Sequence, residues 1–268
     1  MLKKAGFDTP ETDSALLMAF TEKTTVEDIR LHPEKQMTAP DAFDACLKRR
    51  LAFEPVAKIV GEKGFWKHDF YVSADVLDPR PDSETLIDAV ENAFPDFKAP
   101  LRVLDLGTGS GCLILSVLAD YPAARGVGVD ISGKALEIAL RNARRLGVAD
   151  RFSIVEADWN DVSFAALFPE PFDVVLCNPP YIGKDEKLSK ETLFDPQRAL
   201  FANENGLADY RVLAGKLPLL LAKNGTAFFE LGTNQAAAVK AFFEQNGFKS
   251  LSLAKDFGGI DRCLTVGR

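Results

Sequence analysis

Two short segments carry the residue types best suited to chemistry. The first is Asn178-Pro179-Pro180-Tyr181. An amide nitrogen is a weak nucleophile because its lone pair is delocalised into the carbonyl. To attack an electrophile it must recover that pair, and it becomes positive as it does so. Acceptors aimed at its two N–H groups favour that charge. Asn178 brings a side-chain oxygen and Pro179 a backbone carbonyl. Neither proline has an N–H, so no donor competes with the donors of the group being held. Pro180 restrains Pro179 to an extended conformation, which helps aim its carbonyl. Tyr181 can lie on a planar group or donate its hydroxyl. The group this segment suits is a planar NH2, which a carboxamide and an adenine both present. No strong base is required, because the alkylated nitrogen is acidic enough to lose its proton to water.

The second segment is Asp105-Leu106-Gly107-Thr108-Gly109-Ser110-Gly111, which follows a strand-like run and opens a helical one. Its glycines permit a tight turn and a close backbone approach to a ligand. The spacing is G-x-G-x-G rather than the dinucleotide G-x-G-x-x-G, and no lysine follows to make a P-loop. Asp105 at its head suits a ligand with a cationic end better than a polyphosphate. Asp130 closes the next strand-like run, about 20 residues on, where a carboxylate can accept from both ribose hydroxyls of NAD or of an adenosyl group. Asp158 can accept from an adenine amino group, and Trp159 can cover the ring. Each residue also has a plain structural use: a turn for the glycines, a helix cap for Asp130, a core position for Trp159.

The elements that must position these segments are legible in the hydrophobic period. Strand-like runs occupy Leu101–Leu106, Gly126–Asp130, Phe152–Glu156, Phe172–Cys177 and Thr226–Leu231. Helical runs fall between them at Cys112–Tyr121, Gly133–Leu146, Leu207–Leu221 and Asn234–Gln245. Such alternation predicts an α/β fold with a mostly parallel sheet covered on both faces. Ser250–Leu253 and Cys263–Val266 have no helix between them, so an antiparallel edge pair is expected there. In an open parallel sheet, ligands sit beyond the carboxyl ends of the strands. The two segments should therefore face one crevice.

The first fifty residues read as helical, with Leu16, Leu17 and Phe20 on one face, and with Phe43, Leu47 and Leu51 on another helix that starts at Pro40. Val56–Val60 and Phe65–Val72, rich in β-branched and aromatic residues and separated by Gly61 and Gly64, suggest a hairpin. Asp78-Pro79-Arg80-Pro81-Asp82-Ser83-Glu84 forbids regular structure, and Asp82 or Ser83 is expected to cap a helix running to about Phe94. The resulting division is a helical domain over residues 1–52, a β-hairpin linker over 53–80 and a ligand-binding domain over 81–268.

Composition narrows the class further. The formal net charge of −7 disfavours polyanionic partners. Arg141, Arg144 and Arg145 are read as the solvated face of a helix. No run approaches the roughly 18 apolar residues of a membrane span. The start of the chain turns polar too soon for a secretory signal, so a cytoplasmic location is expected. Cys46, Cys112, Cys177 and Cys263 are far apart and read as buried free thiols. Two histidines, His32 and His68, argue against a histidine metal site or a nucleophilic triad, and no metal is expected.

Together the glycine loop and Asn178-Pro179-Pro180-Tyr181 resemble the class I methyltransferases that modify amide or exocyclic amino nitrogens. Glu54-Pro55-Val56, Gly61-Glu62, Phe65-Trp66 and Pro79-Arg80-Pro81-Asp82-Ser83-Glu84 narrow the resemblance to the HemK/PrmC family, protein-(glutamine-N5) methyltransferases of peptide chain release factors. The resemblance covers nearly the whole chain. It implies a Rossmann-like, mostly parallel seven-stranded sheet with a small N-terminal helical domain that docks the substrate. It implies S-adenosylmethionine as cofactor, held by Gly107, Thr108, Gly109, Ser110, Gly111, Asp130, Trp159 and Asn178. It implies that the glutamine of a Gly-Gly-Gln loop is gripped by Asn178, Pro179, Pro180 and Tyr181, with Asn178, Pro179 and Tyr181 assigned to catalysis. The partners implied are bacterial release factors, with no direct nucleic acid. Ser110 stands where the family often has Thr, and the first family helix looks shortened. A sister group acting on a ribosomal protein usually shows Pro-Arg-Ser-Pro where this chain has Pro-Arg-Pro-Asp. The rival readings are an adenine-N6 methyltransferase, which should carry a basic groove, a non-catalytic adenosyl-binding module, and a nicotinamide dehydrogenase.

Overall fold

In the computed structural model, which describes residues 1–268, the chain opens with four helices: α1 (Pro10–Glu22), α2 (Val26–Leu31), α3 (Pro40–Leu51) and α4 (Val56–Val60). Proline at the first position of α1 and of α3 costs no hydrogen bond there. Leu17, Cys46 and Ile59 form their small core, with Phe43, Val56 and Val60 packed around it. Leu17 is fully buried, whereas Leu16 and Phe20 are exposed. The inward face of α1 is set by the i, i+4 pair Asp13 and Leu17, not by Leu16 and Phe20. Asp13 is buried because Arg50 donates to it at 2.7 Å.

Val56–Val60 is a helix and not the first strand of a hairpin. The hairpin lies just after it, β1 (Glu62–Phe65) against β2 (His68–Tyr71). A five-residue apolar run satisfies either period, and here Val56 and Val60, four apart, pack on the helical core.

The remainder is α5 (Glu84–Ala93), β3 (Arg102–Leu106), α6 (Cys112–Asp120), β4 (Arg125–Asp130), α7 (Gly133–Arg145), β5 (Phe152–Glu156), β6 (Phe172–Cys177), the single turn α8 (Asn203–Gly206), α9 (Ala208–Leu220), β7 (Leu221–Glu230), α10 (Ala236–Gln245), β8 (Ser250–Lys255) and β9 (Asp261–Gly267). The seven strands run in the order β5-β4-β3-β6-β7-β9-β8. The first five are parallel, and β9 pairs antiparallel with both β7 and β8, as expected for the edge pair. Alternate residues of the central strands feed two cores. Val103 and Val174 point to the side of α5, α6 and α7, while Leu104, Leu106 and Val175 point to the side of α9 and α10. No helix is long and apolar enough to cross a membrane.

Strand order reverses at β3, whose neighbours β4 and β6 are reached by connections leading to opposite sides of it. That switch point opens a crevice beyond the carboxyl ends of β3 and β6. The hairpin is fastened beside it by α7. Asn142 copies a strand edge, accepting from Tyr71 N at 2.7 Å and donating to Tyr71 O at 3.0 Å, and it also donates to Ser110 O at 2.8 Å. The Arg141 and Arg145 guanidinium carbons lie 3.6 and 4.5 Å from the Tyr71 ring centroid, and Arg145 pairs with Glu62. These arginines, exposed on α7, cover the hairpin.

Candidate active site

The glycine loop joins β3 to α6, and Gly107, Gly109 and Gly111 all have positive φ, a region that disfavours any side chain. Four of its five N–H groups are already used. Gly107 and Thr108 donate to Val129 O at 2.9 and 2.8 Å, Gly109 donates to Asp130 Oδ2 at 2.9 Å, and Gly111 donates to Thr108 O at 2.7 Å. The loop therefore does not present the array of free N–H groups that a pyrophosphate requires.

A cavity of about 290 Å³ lies over this loop. Its wall includes Gly107, Thr108, Gly109, Ser110, Asp130, Trp159, Asn178 and Pro180. Gly111, Pro179 and Tyr181 lie outside the wall: Gly111 caps α6, Pro179 is buried, and Tyr181 directs its hydroxyl to Glu230. Five aspartates and two arginines line the cavity, Asp75, Asp78, Asp130, Asp158 and Asp209 against Arg80 and Arg198. That balance favours a ligand with positive charge.

Each wall residue is held by a specific partner. Asp130 accepts from Gly109 N and, at 2.9 Å, from Ser132 N. Burial pushes its carboxyl above the usual range, against these two hydrogen bonds. The true cap of α7 is Ser132, whose hydroxyl accepts from Ala135 N. The Trp159 indole donates to Asp209 at 2.8 Å, and its ring stands 3.4 Å from where a Gly107 side chain would begin. Just behind Thr108, Asp105 is buried and accepts from the Thr108 hydroxyl at 2.7 Å, while its other oxygen has no partner. Burial raises its carboxyl to about 7. Cys112 is half-buried at the wall, and burial pushes its thiol to about 12, so it is no nucleophile at neutral pH.

Two segments complete the wall, the first overlapping the Pro79–Glu84 motif and the second without any sequence signal of function. One is Asp75–Arg80 with Ser83. The other is Pro196–Phe201, within the loop that follows Tyr181. That loop folds back because Ile182 pairs with Leu200 and Ala202 through its backbone, at 2.9 and 3.0 Å. The two segments are clasped by a charge cluster in which Lys58, Asp78 and Asp195 are buried and Arg80 is partly exposed. The Asp195 carboxylate receives Arg80 at 2.5 Å on one oxygen and Lys58 at 3.0 Å on the other, and Lys58 also meets Asp78 at 2.8 Å. Neither Asp82 nor Ser83 caps α5 with its side chain. Ser83 instead turns its hydroxyl to Glu230, a buried carboxylate at the end of β7.

At Asn178, Nδ2 donates to Ser83 Oγ at 3.4 Å, while Oδ1 and the Pro179 carbonyl accept no hydrogen bond from the chain. Two free acceptors thus stand side by side where β6 ends. The Tyr181 hydroxyl donates to Glu230 at 3.2 Å, and Gln235 donates to the Tyr181 carbonyl at 2.9 Å.

A seven-stranded sheet with this order, a glycine loop after β3 and an acid-lined crevice define a class I methyltransferase. Residues 97–248 match the family model of a methyltransferase domain, and residues 1–61 match that of the PrmC N-terminal domain. A methyltransferase structure from Pyrococcus furiosus superposes with a TM-score of 0.56 at 16% identity, covering 84% of this chain and 96% of that one. The release factor glutamine methyltransferase of Rhodospirillum rubrum is 40% identical over 100% of this chain and 82% of its own length. That of Caulobacter vibrioides is 38% identical over 98% and 91%. The chain belongs to the release factor glutamine methyltransferase family, and it is an enzyme that requires a methyl donor.

Proposed function

We propose that the chain methylates the side-chain amide N5 of the glutamine in the Gly-Gly-Gln motif of bacterial peptide chain release factors, with S-adenosylmethionine as donor. The observation that carries this reading is the pair of unengaged acceptors where β6 ends, Asn178 Oδ1 on a residue of the acid-lined cavity wall and the carbonyl of the adjacent Pro179. The choice of glutamine over other planar NH2 groups leans on the names of the relatives.

The residues present suit the cofactor. The aspartates of the wall favour its ammonium and sulfonium charges. Asp130 is placed to accept from ribose hydroxyls once Gly109 and Ser132 have set its orientation. Asp158 and Trp159 offer an acceptor and a flat surface to adenine. When bound, the cofactor supplies an electrophilic methyl group. The chain's own contribution is to hold the amide nitrogen. Asn178 Oδ1 and Pro179 O each take one of its N–H groups, and both interactions strengthen as the nitrogen loses amide resonance and becomes positive. The prolines present no donor against it. Tyr181 braces the segment through Glu230. The proton leaves to water, since no histidine lines the cavity.

The division into residues 1–52, 53–80 and 81–268 belongs to the same reading, with the helices of the first part docking the release factor and the protein acting in the cytoplasm. The test is mass spectrometry of a release factor incubated with the chain and S-adenosylmethionine. A single added methyl on the Gly-Gly-Gln glutamine is expected, and none with Asn178→Ala. An unmethylated glutamine with the wild-type chain would overturn the proposal.

A further inference from the structure

An asparagine amide has an oxygen that accepts and an NH2 that donates, and only the oxygen helps to hold a substrate NH2. Some neighbour must decide which end of Asn178 faces the cavity. We infer that Glu230 is a positioning residue that sets the orientation of the Asn178 amide through the hydroxyl of Ser83. The inference rests on the functional reading above.

The geometry begins with the sheet. Cys177 of β6 stands opposite Phe229 of β7, so the residues that follow them, Asn178 just past β6 and Glu230 at the end of β7, lie side by side. Glu230 is wholly buried and forms no salt bridge. The nearby Arg262 spends its guanidinium on Asp82, Asp256 and the Leu231 carbonyl. The Glu230 carboxylate instead accepts from two hydroxyls, Ser83 on one oxygen and Tyr181 on the other.

Ser83 has a single hydroxyl proton. With that proton committed to Glu230, the Ser83 oxygen can only accept from its other side, where Asn178 Nδ2 lies. The NH2 end of Asn178 is thereby drawn back and Oδ1 is left for the cavity. The donors run one way, from Asn178 to Ser83 to Glu230, and such a chain reinforces itself. Reversing it would require Glu230 to donate. Burial raises the Glu230 carboxyl to about 6, so at neutral pH it is an anion and only accepts. The same anion lies three hydrogen bonds behind the nitrogen that turns positive, and its charge favours that change.

The test is steady-state methylation of release factor by the full chain and its variants. Glu230→Gln keeps the shape but can donate, so the Ser83 proton loses its fixed direction. Its kcat is expected to fall about tenfold or more, with KM for release factor and the dissociation constant of S-adenosylmethionine within about twofold of wild type. Ser83→Ala should give the same split. In the Ser83→Ala background, Glu230→Gln should cost no more than about threefold, because the link is already cut. Unchanged kcat in Glu230→Gln, fully multiplicative effects, or a loss of cofactor affinity in step with rate would each overturn the inference. Should Glu230→Gln fail to fold, Ser83→Ala decides alone: a lowered kcat at unchanged KM upholds the relay, and a wild-type kcat refutes it. A wild-type chain that transfers no methyl overturns the functional reading together with this inference. A competent wild type beside an unimpaired Glu230→Gln overturns the inference only.

Discussion

Trp159 is tied to Asp209, its indole N–H 2.8 Å from Oδ1, and the same ring lies against the backbone of Gly107. One side chain thus links β5, the glycine loop and α9 at the cavity wall. Asp209→Ala frees the ring and should weaken S-adenosylmethionine binding severalfold, by about 1 kcal/mol, the worth of one hydrogen bond. Gly107→Ala should be far more damaging, because φ there is +75° and the new methyl meets Trp159. Calorimetric titration of both variants checks the order; an Asp209→Ala variant that binds as wild type would return that pair to a packing role.

Asp130 serves both the loop and the ligand. Asp130→Ala should weaken cofactor binding about tenfold or more and lower stability by about 1 kcal/mol, since Gly109 N and Ser132 N lose their acceptor. At saturating cofactor the turnover should recover. Stability loss with intact cofactor affinity would make Asp130 a loop brace only.

The clasp at Asp195 joins α4 to two wall segments of the cavity, Asp75–Arg80 and Pro196–Phe201. Asp195→Ala leaves Lys58 buried with a single carboxylate, Asp78, and leaves Arg80 without a partner. Removing one member of a buried charge cluster costs about 3 kcal/mol. Urea denaturation should show that loss, and cofactor affinity should fall with it because Arg80 and Arg198 both border the cavity. An effect on stability below 1 kcal/mol would mean that the clasp behaves like surface charge.

Gly206 is the tightest point next to the Asn178–Tyr181 segment. Glu204, Asn205 and Gly206 all have positive φ, and a Cβ on Gly206 would fall 1.9 Å from the Tyr181 carbonyl oxygen. Gly206→Ala must displace Tyr181, whose carbonyl also receives Gln235. A loss of activity of about tenfold or more is expected at near-normal cofactor affinity, measured by the same methylation assay. Equal activity would show that the segment tolerates movement.

The Asp105 carboxyl gives a pH signature. Its pKa rises on folding to about 7, because burial disfavours the charged form. Between its unfolded value and about 7 the native state holds a proton that the unfolded chain has lost, so stability falls as pH rises through that window. Asp105→Asn cannot ionise and should remove this component. The wild type should therefore lose stability relative to Asp105→Asn between pH 5 and pH 7.5, by on the order of 1 kcal/mol or more. Parallel curves in denaturant would contradict the raised value.

The strands that carry the site were legible because each is an apolar run bounded by polar residues, and β5 and β6 begin and end where the pattern changes. Val56–Val60 was not, since so short a run fits helix and strand alike, and only packing against Leu17 and Cys46 decides for the helix. Ser83 shows the limit at the site. Its place before α5 reads as a cap, but a buried carboxylate 147 residues away is a stronger acceptor for its proton.

The sequence by itself determined the class of fold, the glycine loop, the acidic residues at the strand ends and a segment suited to gripping a planar NH2 group. These are local, because period, turn chemistry and donor content are properties of adjacent residues. Tertiary structure alone decided that Asp75–Arg80 and Pro196–Phe201 complete the cavity, that Pro179 and Tyr181 stand outside its wall, and that Glu230 lies behind Asn178. These relations arise where strands distant in sequence become neighbours and buried polar groups must find partners. No spacing along the chain records which partners those are.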